Sequence, residues 1–162
     1  DILTFMGNSP NFALYPFHID DYFIAESDPT AFVGGTTDAR GDEGGANDPY
    51  TLFTVTGLVE VRIIGKCTVD LVSAGGGTLA VGTALSTTGL ITTTTATDID
   101  ENDLWHDATP DASVEAITVM PARLVFQNII ETVATANITA GQISYICLWR
   151  PISPDGKVVS AV

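Results

Sequence analysis

Residues Gln142-Ile143-Ser144-Tyr145-Ile146-Cys147-Leu148-Trp149-Arg150 limit most tightly what this chain can fold into. β-Branched and aromatic side chains suit a pleated surface and lose rotamer freedom in a helix. Pro151 and the Asp155-Gly156 pair close the run, as a strand end followed by a turn requires. Ile143, Tyr145, Cys147 and Trp149 share one face, and Ile146 and Leu148 share the other. Apolar residues on both faces point to a central strand covered twice.

The same period of two recurs upstream. Val55, Gly57, Val59, Val61 and Ile63 alternate with Leu58, Glu60 and Arg62. Cys67, Val69 and Leu71 are expected inward and Thr68 and Asp70 outward, with Gly65 marking a bulge or bend. Gly75-Gly76-Gly77 reads as a turn, and Leu79–Val81, Ala84–Thr95, Ser113–Met120 and Leu124–Val133 read as further strands. The expectation is an all-β fold. It takes the form of an antiparallel β-sandwich or jelly roll of about eight strands over residues 51–162. A chain of 162 residues is long enough for one such domain with a sizeable core.

Residues 1–50 differ in character. They hold eight of the 13 aromatics: Phe5, Phe12, Tyr15, Phe17, Tyr22, Phe23, Phe32 and Tyr50. Rings this dense need burial, yet Pro10, Pro16, Pro29 and Pro49 interrupt regular elements. An irregular arm that lies across a sheet, its own or a neighbour's, meets both demands. Phe5, Phe12, Tyr15, Phe17, Tyr22 and Phe23 are therefore candidate partner contacts, with Trp105 as a further one. The polar, glycine-rich residues 34–48 read as a flexible loop.

Charge excludes several partners. Six basic residues stand against 20 acidic ones, a net charge of −14. Such a surface repels phosphate backbones and anionic lipid, so neither nucleic acid nor membrane is an expected partner. No apolar run approaches the ~20 residues of a membrane helix, and no basic-then-apolar leader opens the sequence as given. Cys67 and Cys147 sit among apolar strand residues. Free buried thiols and a disulfide between packed strands are both compatible with that setting.

Catalytic motifs are not found. His18 and His106 form no helical metal pair, and there is no nucleophile elbow or phosphate loop. The chain is not expected to be an enzyme or to carry a cofactor. Asp98, Asp100 and Asn102 match three positions of a calcium loop, but Asp103 replaces its glycine and Thr109 its glutamate. A looser cation site of Asp98, Asp100 and Asp103 remains as an alternative to a solvated loop in which Asp98 or Asp100 caps a helical turn. Arg40-Gly41-Asp42 spells an adhesive tripeptide, and Asn137-Ile138-Thr139 fits a glycosylation sequon. Both are short patterns of low specificity.

Thr95-Ala96-Thr97-Asp98-Ile99-Asp100, Leu104-Trp105, and the stretch from Val133 to Gln142 leading into Leu148-Trp149-Arg150-Pro151-Ile152-Ser153 carry a likeness. The chain resembles, over about residues 50–162, tailed-bacteriophage head decoration (capsid cement) proteins. The resemblance implies a β-rich virion protein on the capsid exterior that binds the major capsid protein lattice as a symmetric homo-oligomer, with a trimer favoured. It implies no enzymatic activity and no catalytic residues. The alternatives are a glycan- or calcium-dependent receptor-binding sandwich and a phage tail component.

Overall fold

The computed structural model describes residues 22–115 and 120–162. Twelve strands follow one another along them: β1 (Phe23–Glu26), β2 (Thr30–Ala31), β3 (Tyr50–Thr56), β4 (Val59–Val72), β5 (Thr78–Thr83), β6 (Ser86–Thr95), β7 (Asp103–Trp105), β8 (Asp111–Ala112), β9 (Arg123–Val125), β10 (Ile129–Ala134), β11 (Ala140–Pro151) and β12 (Lys157–Ser160). The larger sheet runs β1-β11-β4-β7-β8, with β2 added to β11 and β9 to β4; the smaller runs β12-β3-β10-β5-β6. All pairings are antiparallel. The protein is an all-β sandwich. Its core fills from both sheets, with Leu52, Phe53, Leu79, Ile91 and Ile129 from one and Val59, Val61, Trp105, Ile143 and Tyr145 from the other.

The strand at 142–150 is an interior strand of the larger sheet, between β1 and β4. It pairs with β4 along its whole length, from Ala140 opposite Val72 to Pro151 opposite Val59. Ile143, Tyr145 and Cys147 are fully buried, while Ile146 and Leu148 on the reverse face are only half-buried. The second face is thus less covered than the alternation suggested.

There are more strands than the eight or so expected, because residues 22–50 add β1 and β2 and two apolar runs divide between the sheets. The run through Val55 and Ile63 breaks at Gly57, whose φ of +63° is a left-handed conformation that an L side chain resists. A Cβ there would also meet Asp155 and Ser153 side-chain oxygens at 2.5 Å. The break sends β3 to the small sheet and β4 to the large one. The run Leu124–Val133 likewise splits into β9 and β10, in different sheets. Of the run Ser113–Met120, part lies outside the described residues. Two register shifts opposite Cys67–Val72 turn Val69 outward, against its place in the alternation.

Residues 22–50 lie on the sandwich itself, so of the sheets the arm was expected to cover, this part takes its own. β1 and β2 extend the large sheet through β11, and Phe32 is buried in the core. The segment 34–48 is held rather than loose. Gly34 N–H donates to Ile138 O, Ile138 N–H to Gly41 O, and Glu43 N–H to Asn137 Oδ1. The sequon asparagine is therefore engaged by the backbone of that segment.

Gly65 is neither a bulge nor a bend. It lies within β4 opposite Trp105 of β7. A Cβ on it would sit 3.2 Å from Ile143, Trp105 and Tyr145 side chains. The missing side chain is what lets the indole approach the strand closely. Gly65→Val is expected to overpack this spot and cost about 1–3 kcal/mol, read as a lowered midpoint in chemical denaturation with an unchanged m-value.

Candidate functional site

A buried polar cluster is built on Arg40, which is buried although it belongs to the glycine-rich segment. Its Nε donates to Glu131 Oε1 at 2.8 Å and its Nη2 to Glu131 Oε2 at 2.6 Å, a two-point pairing with a carboxylate on β10. Nη1 donates to Thr30 O at 2.5 Å and lies 3.4 Å from Ile143 O. The Tyr145 hydroxyl of β11 donates to Glu131 Oε2 at 2.6 Å. Phe32 and Tyr50 flank the guanidinium, with ring centroids 4.2 and 5.0 Å away. Burial alone lowers the Arg40 pKa, but the Glu131 charge and hydrogen bonds outweigh it and hold it above the ordinary value. Burial, then the Glu131 charge, raises the Tyr145 phenol well above its usual range.

This cluster is enclosed and every donor has a protein acceptor, so it binds the protein together rather than binding a ligand. It also removes the adhesive reading of Arg40-Gly41-Asp42. An arginine committed to a buried carboxylate cannot be presented to a receptor.

The other sequence candidates separate in space. Trp105 is fully buried; its Nε1–H donates to Thr94 Oγ1 at 2.9 Å, and its ring lies 6.3 Å from that of Tyr145. It is a core residue and not a contact, because the space above Gly65 admits it despite polar sequence neighbours. Asp98 and Asp100 are exposed, whereas Asp103 is buried with Oδ2 accepting the Asp100 N–H at 2.9 Å. The three carboxylates do not converge, and among the described residues no group of three His, Cys, Asp or Glu side chains is placed to hold a metal ion. The helical turn is the 3-10 segment Ala96–Asp98, preceded by Thr95, so neither aspartate caps it.

His106 is buried, with Nε2 3.5 Å from Glu115 Oε1 and Nδ1 3.9 Å from Asp107 Oδ2. Burial works against the Asp107 charge, but hydrogen bonds from the Thr109 N–H and hydroxyl overcome it and hold that carboxyl below the usual carboxylate range. His18, Phe5, Phe12, Tyr15 and Phe17 lie outside the described residues.

Tyr22 and Phe23 mark where the described chain begins. The Tyr22 hydroxyl donates to Glu60 Oε1 at 2.9 Å, and its ring lies 5.6 Å from the Arg62 guanidinium and 5.2 Å from that of Arg150. Arg150 Nε also reaches Glu60 Oε1 at 2.5 Å. Burial opposes the Glu60 charge, but Tyr22 and Arg150 outweigh it and keep the carboxyl below its usual range. Phe23 packs on Trp149 at 4.9 Å between centroids yet stays 59% exposed.

One surface feature escaped sequence reading. A cleft of about 160 Å³ opens where β9 of the large sheet faces the β5–β6 hairpin of the small one. Thr83, Ser86, Gly89 and Leu90 line one side, and Arg123, Leu124 and Val125 the other. Arg123 Nε donates to Gly89 O across it at 3.3 Å. Beside the cleft Leu85 is 77%, Leu124 65% and Phe126 66% exposed. Leu85 is tied to this end of the sandwich, its N–H donating to Gln127 Oε1 at 3.3 Å. Three consecutive apolar residues, Leu124-Val125-Phe126, were the available signal. A strand cannot point all three at one core.

Cys67 and Cys147 are buried free thiols. Cys67 pairs across β4 and β11 with Ile143, four residues from Cys147, which separates the two by about 13 Å of strand and leaves no room for a disulfide. Burial is the main cause that pushes Cys67 up to about 11 and Cys147 up to about 12. A thiol raised in the folded state stabilises fully below its unfolded value and loses that contribution as pH climbs toward the folded one. Stability is therefore expected to hold to about pH 9 and fall above it, with a shallower decline in the Cys67→Ala/Cys147→Ala variant when denaturant midpoints are followed against pH. Separately, Arg40→Ala or Glu131→Ala is expected to cost about 3–5 kcal/mol by stranding a buried charge, while Arg40→Met with Glu131→Leu costs far less than the sum of the two. A double-mutant cycle in urea reads this.

No protein-family model, curated protein or solved structure matches the chain.

Proposed function

We propose that this protein is a structural component of a tailed-phage virion that coats the capsid exterior by binding the major capsid protein lattice as a homo-oligomer. The observation that carries the reading is the exposure of the large apolar side chains Leu85, Leu124 and Phe126, each in the cleft lining or next to it in sequence, on a chain with a net charge of −14. Exposed apolar patches of this kind mark surfaces covered by a partner. The aromatic segment ahead of Tyr22 supplies a second such demand, through Phe5, Phe12, Tyr15 and Phe17. Phe23 adds an exposed ring at its root. Resemblance to head decoration proteins supplies the identity of the partner.

Charge and rigidity support the same reading. A strongly acidic coat protein is repelled by packaged DNA and sits comfortably on the far side of a shell. A sandwich joined internally by Arg40, Glu131 and Tyr145 resists shear, and the repeated contacts of a lattice make modest affinity per copy sufficient.

The test is co-sedimentation with undecorated capsids of the phage that encodes the chain. The full chain is expected to bind saturably and to raise the temperature at which the shells rupture. Removing residues 1–21, which stops short of the Tyr22 and Phe23 contacts, is expected to lower occupancy about tenfold or more, as loss of clustered aromatic anchors does. Unchanged occupancy removes the role of the arm. Failure of the full chain to bind removes the coat reading.

A further inference from the structure

We infer that in the free protein residues 1–21 lie along the outer face of their own large sheet, over Ile24, Ile64, Ile146 and Leu148. The inference goes beyond the coat reading and does not need it. What carries it is the place where the described chain begins.

The face is built by alternation. On β4, Glu60, Arg62, Ile64 and Lys66 alternate with the core residues Val61, Ile63 and Cys67. β11 sets Arg150, Leu148, Ile146 and Ser144 opposite those four in turn, and β1 sets Ile24 opposite Leu148 and Glu26 opposite Ile146. The small sheet packs on the other side, and among the described residues no strand covers this one. Ile24 is 68% exposed, and Ile64, Ile146 and Leu148 are half-buried.

Position selects the occupant. Tyr22 already lies on this face, with its hydroxyl on Glu60 and its ring beside both Arg62 and Arg150. Ile24 and Leu148 stand one row further along. β1 runs away from Arg150, so the segment ahead of Tyr22 has to double back to reach that row. Asp20 and Asp21 put turn-forming residues at the point of return. Arg62 Nη1 donates to Met120 O at 3.2 Å, just ahead of β9, so the open part of the face lies toward β11 and β1. That is the side on which β1 begins.

Chemistry agrees with position. Residues 2–19 hold no Asp, Glu, Lys or Arg, and they carry Phe5, Phe12, Tyr15 and Phe17. The face holds three of the six basic residues, Arg62, Lys66 and Arg150, but only Glu26 and Glu60 of the 20 acidic ones. It lacks the acidic excess of the whole chain, and its guanidinium groups suit further rings as they suit that of Tyr22. The strip from Glu60 to Lys66 is about 20 Å long and, across β1, β11 and β4, about 10 Å wide. Rings pack with centroids about 4.5–7 Å apart, so the strip has room for all four. A tethered segment meets its own sheet at an effective concentration on the order of mM. The same segment from a second copy has to arrive against the repulsion between two chains of −14.

The experiment is paramagnetic broadening of NMR signals in the full chain, with a nitroxide attached to the Ala13→Cys variant. Cys67 and Cys147 are buried, with pKa values pushed up to about 11 and about 12, so at neutral pH the label goes to the introduced thiol; the unsubstituted chain treated alike is the control. Loss of the Ile24, Ile64, Ile146 and Leu148 methyl signals is expected, with those of Leu79 and Val81 in the small sheet retained. A second sample mixes nitroxide-bearing chains with isotope-labelled, unsubstituted ones. There the four signals are expected to persist, because segment and sheet belong to one molecule. Persistence in the first sample, equal loss on both sheets, or loss in the mixture, which puts the segment on a second copy, each overturns the inference. Removal of residues 1–21 is an independent reading. It is expected to shift the signals of the same four side chains, and unmoved signals overturn the inference equally. Sedimentation with capsids is read separately, so failure of the coat reading leaves this placement standing, and failure of this placement leaves the coat reading standing.

Discussion

The paired charges of Arg40 and Glu131 are the constraint on which the rest of this sandwich depends. Arg40 comes from a segment of low hydrophobicity, Glu131 from the small sheet, and Tyr145 from an interior strand of the large one. Hydrophobic burial holds two sheets together without specifying where along their faces they meet. A carboxylate that must find a guanidinium and a phenol at once does specify it. The Thr30 carbonyl adds β2 to the same point. Loss of water around the two charges is costly, and only this dense set of hydrogen bonds offsets it.

Much of the architecture was legible in the residues, and the failures have physical causes. The run Gln142–Arg150 reads as a central strand because its composition and alternation agree, and it is one. The glycine-rich segment 34–48 reads as a flexible linker because its composition is that of a linker. What orders it is a partner 91 residues away from Arg40, and local composition carries no trace of so distant a contact. Trp105 reads as a surface residue from polar neighbours, but its burial depends on Gly65 leaving space on a strand that it does not adjoin in sequence. The divided run Leu124–Val133 is similar. Alternation identifies a strand but does not reveal that the chain crosses between sheets within it.

The surface shows a division of labour. Acidic side chains set the long-range field around the molecule, and exposed apolar side chains interrupt that charged surface. The apolar rim at Leu85, Leu124 and Phe126 lies beside the row of Arg150, Glu60 and Leu124 that runs across the large sheet. Tyr22 joins that row through Glu60. The Tyr22 side chain is thus held by β4, the strand that also pairs with β9.

The pairing of β4 with β11 bears on how this chain leaves the ribosome. β4 ends at Val72 and β11 begins at Ala140, so at about 5–20 residues per second the longest strand waits roughly 3–14 s for its main neighbour. For most of that interval, until Glu131 is made, Arg40 also lacks its partner. An alternating apolar edge held open for seconds invites pairing with another nascent chain. Polysomes making many copies side by side would bring such edges together, and a holding chaperone that engages the chain before Ala140 emerges would keep them apart.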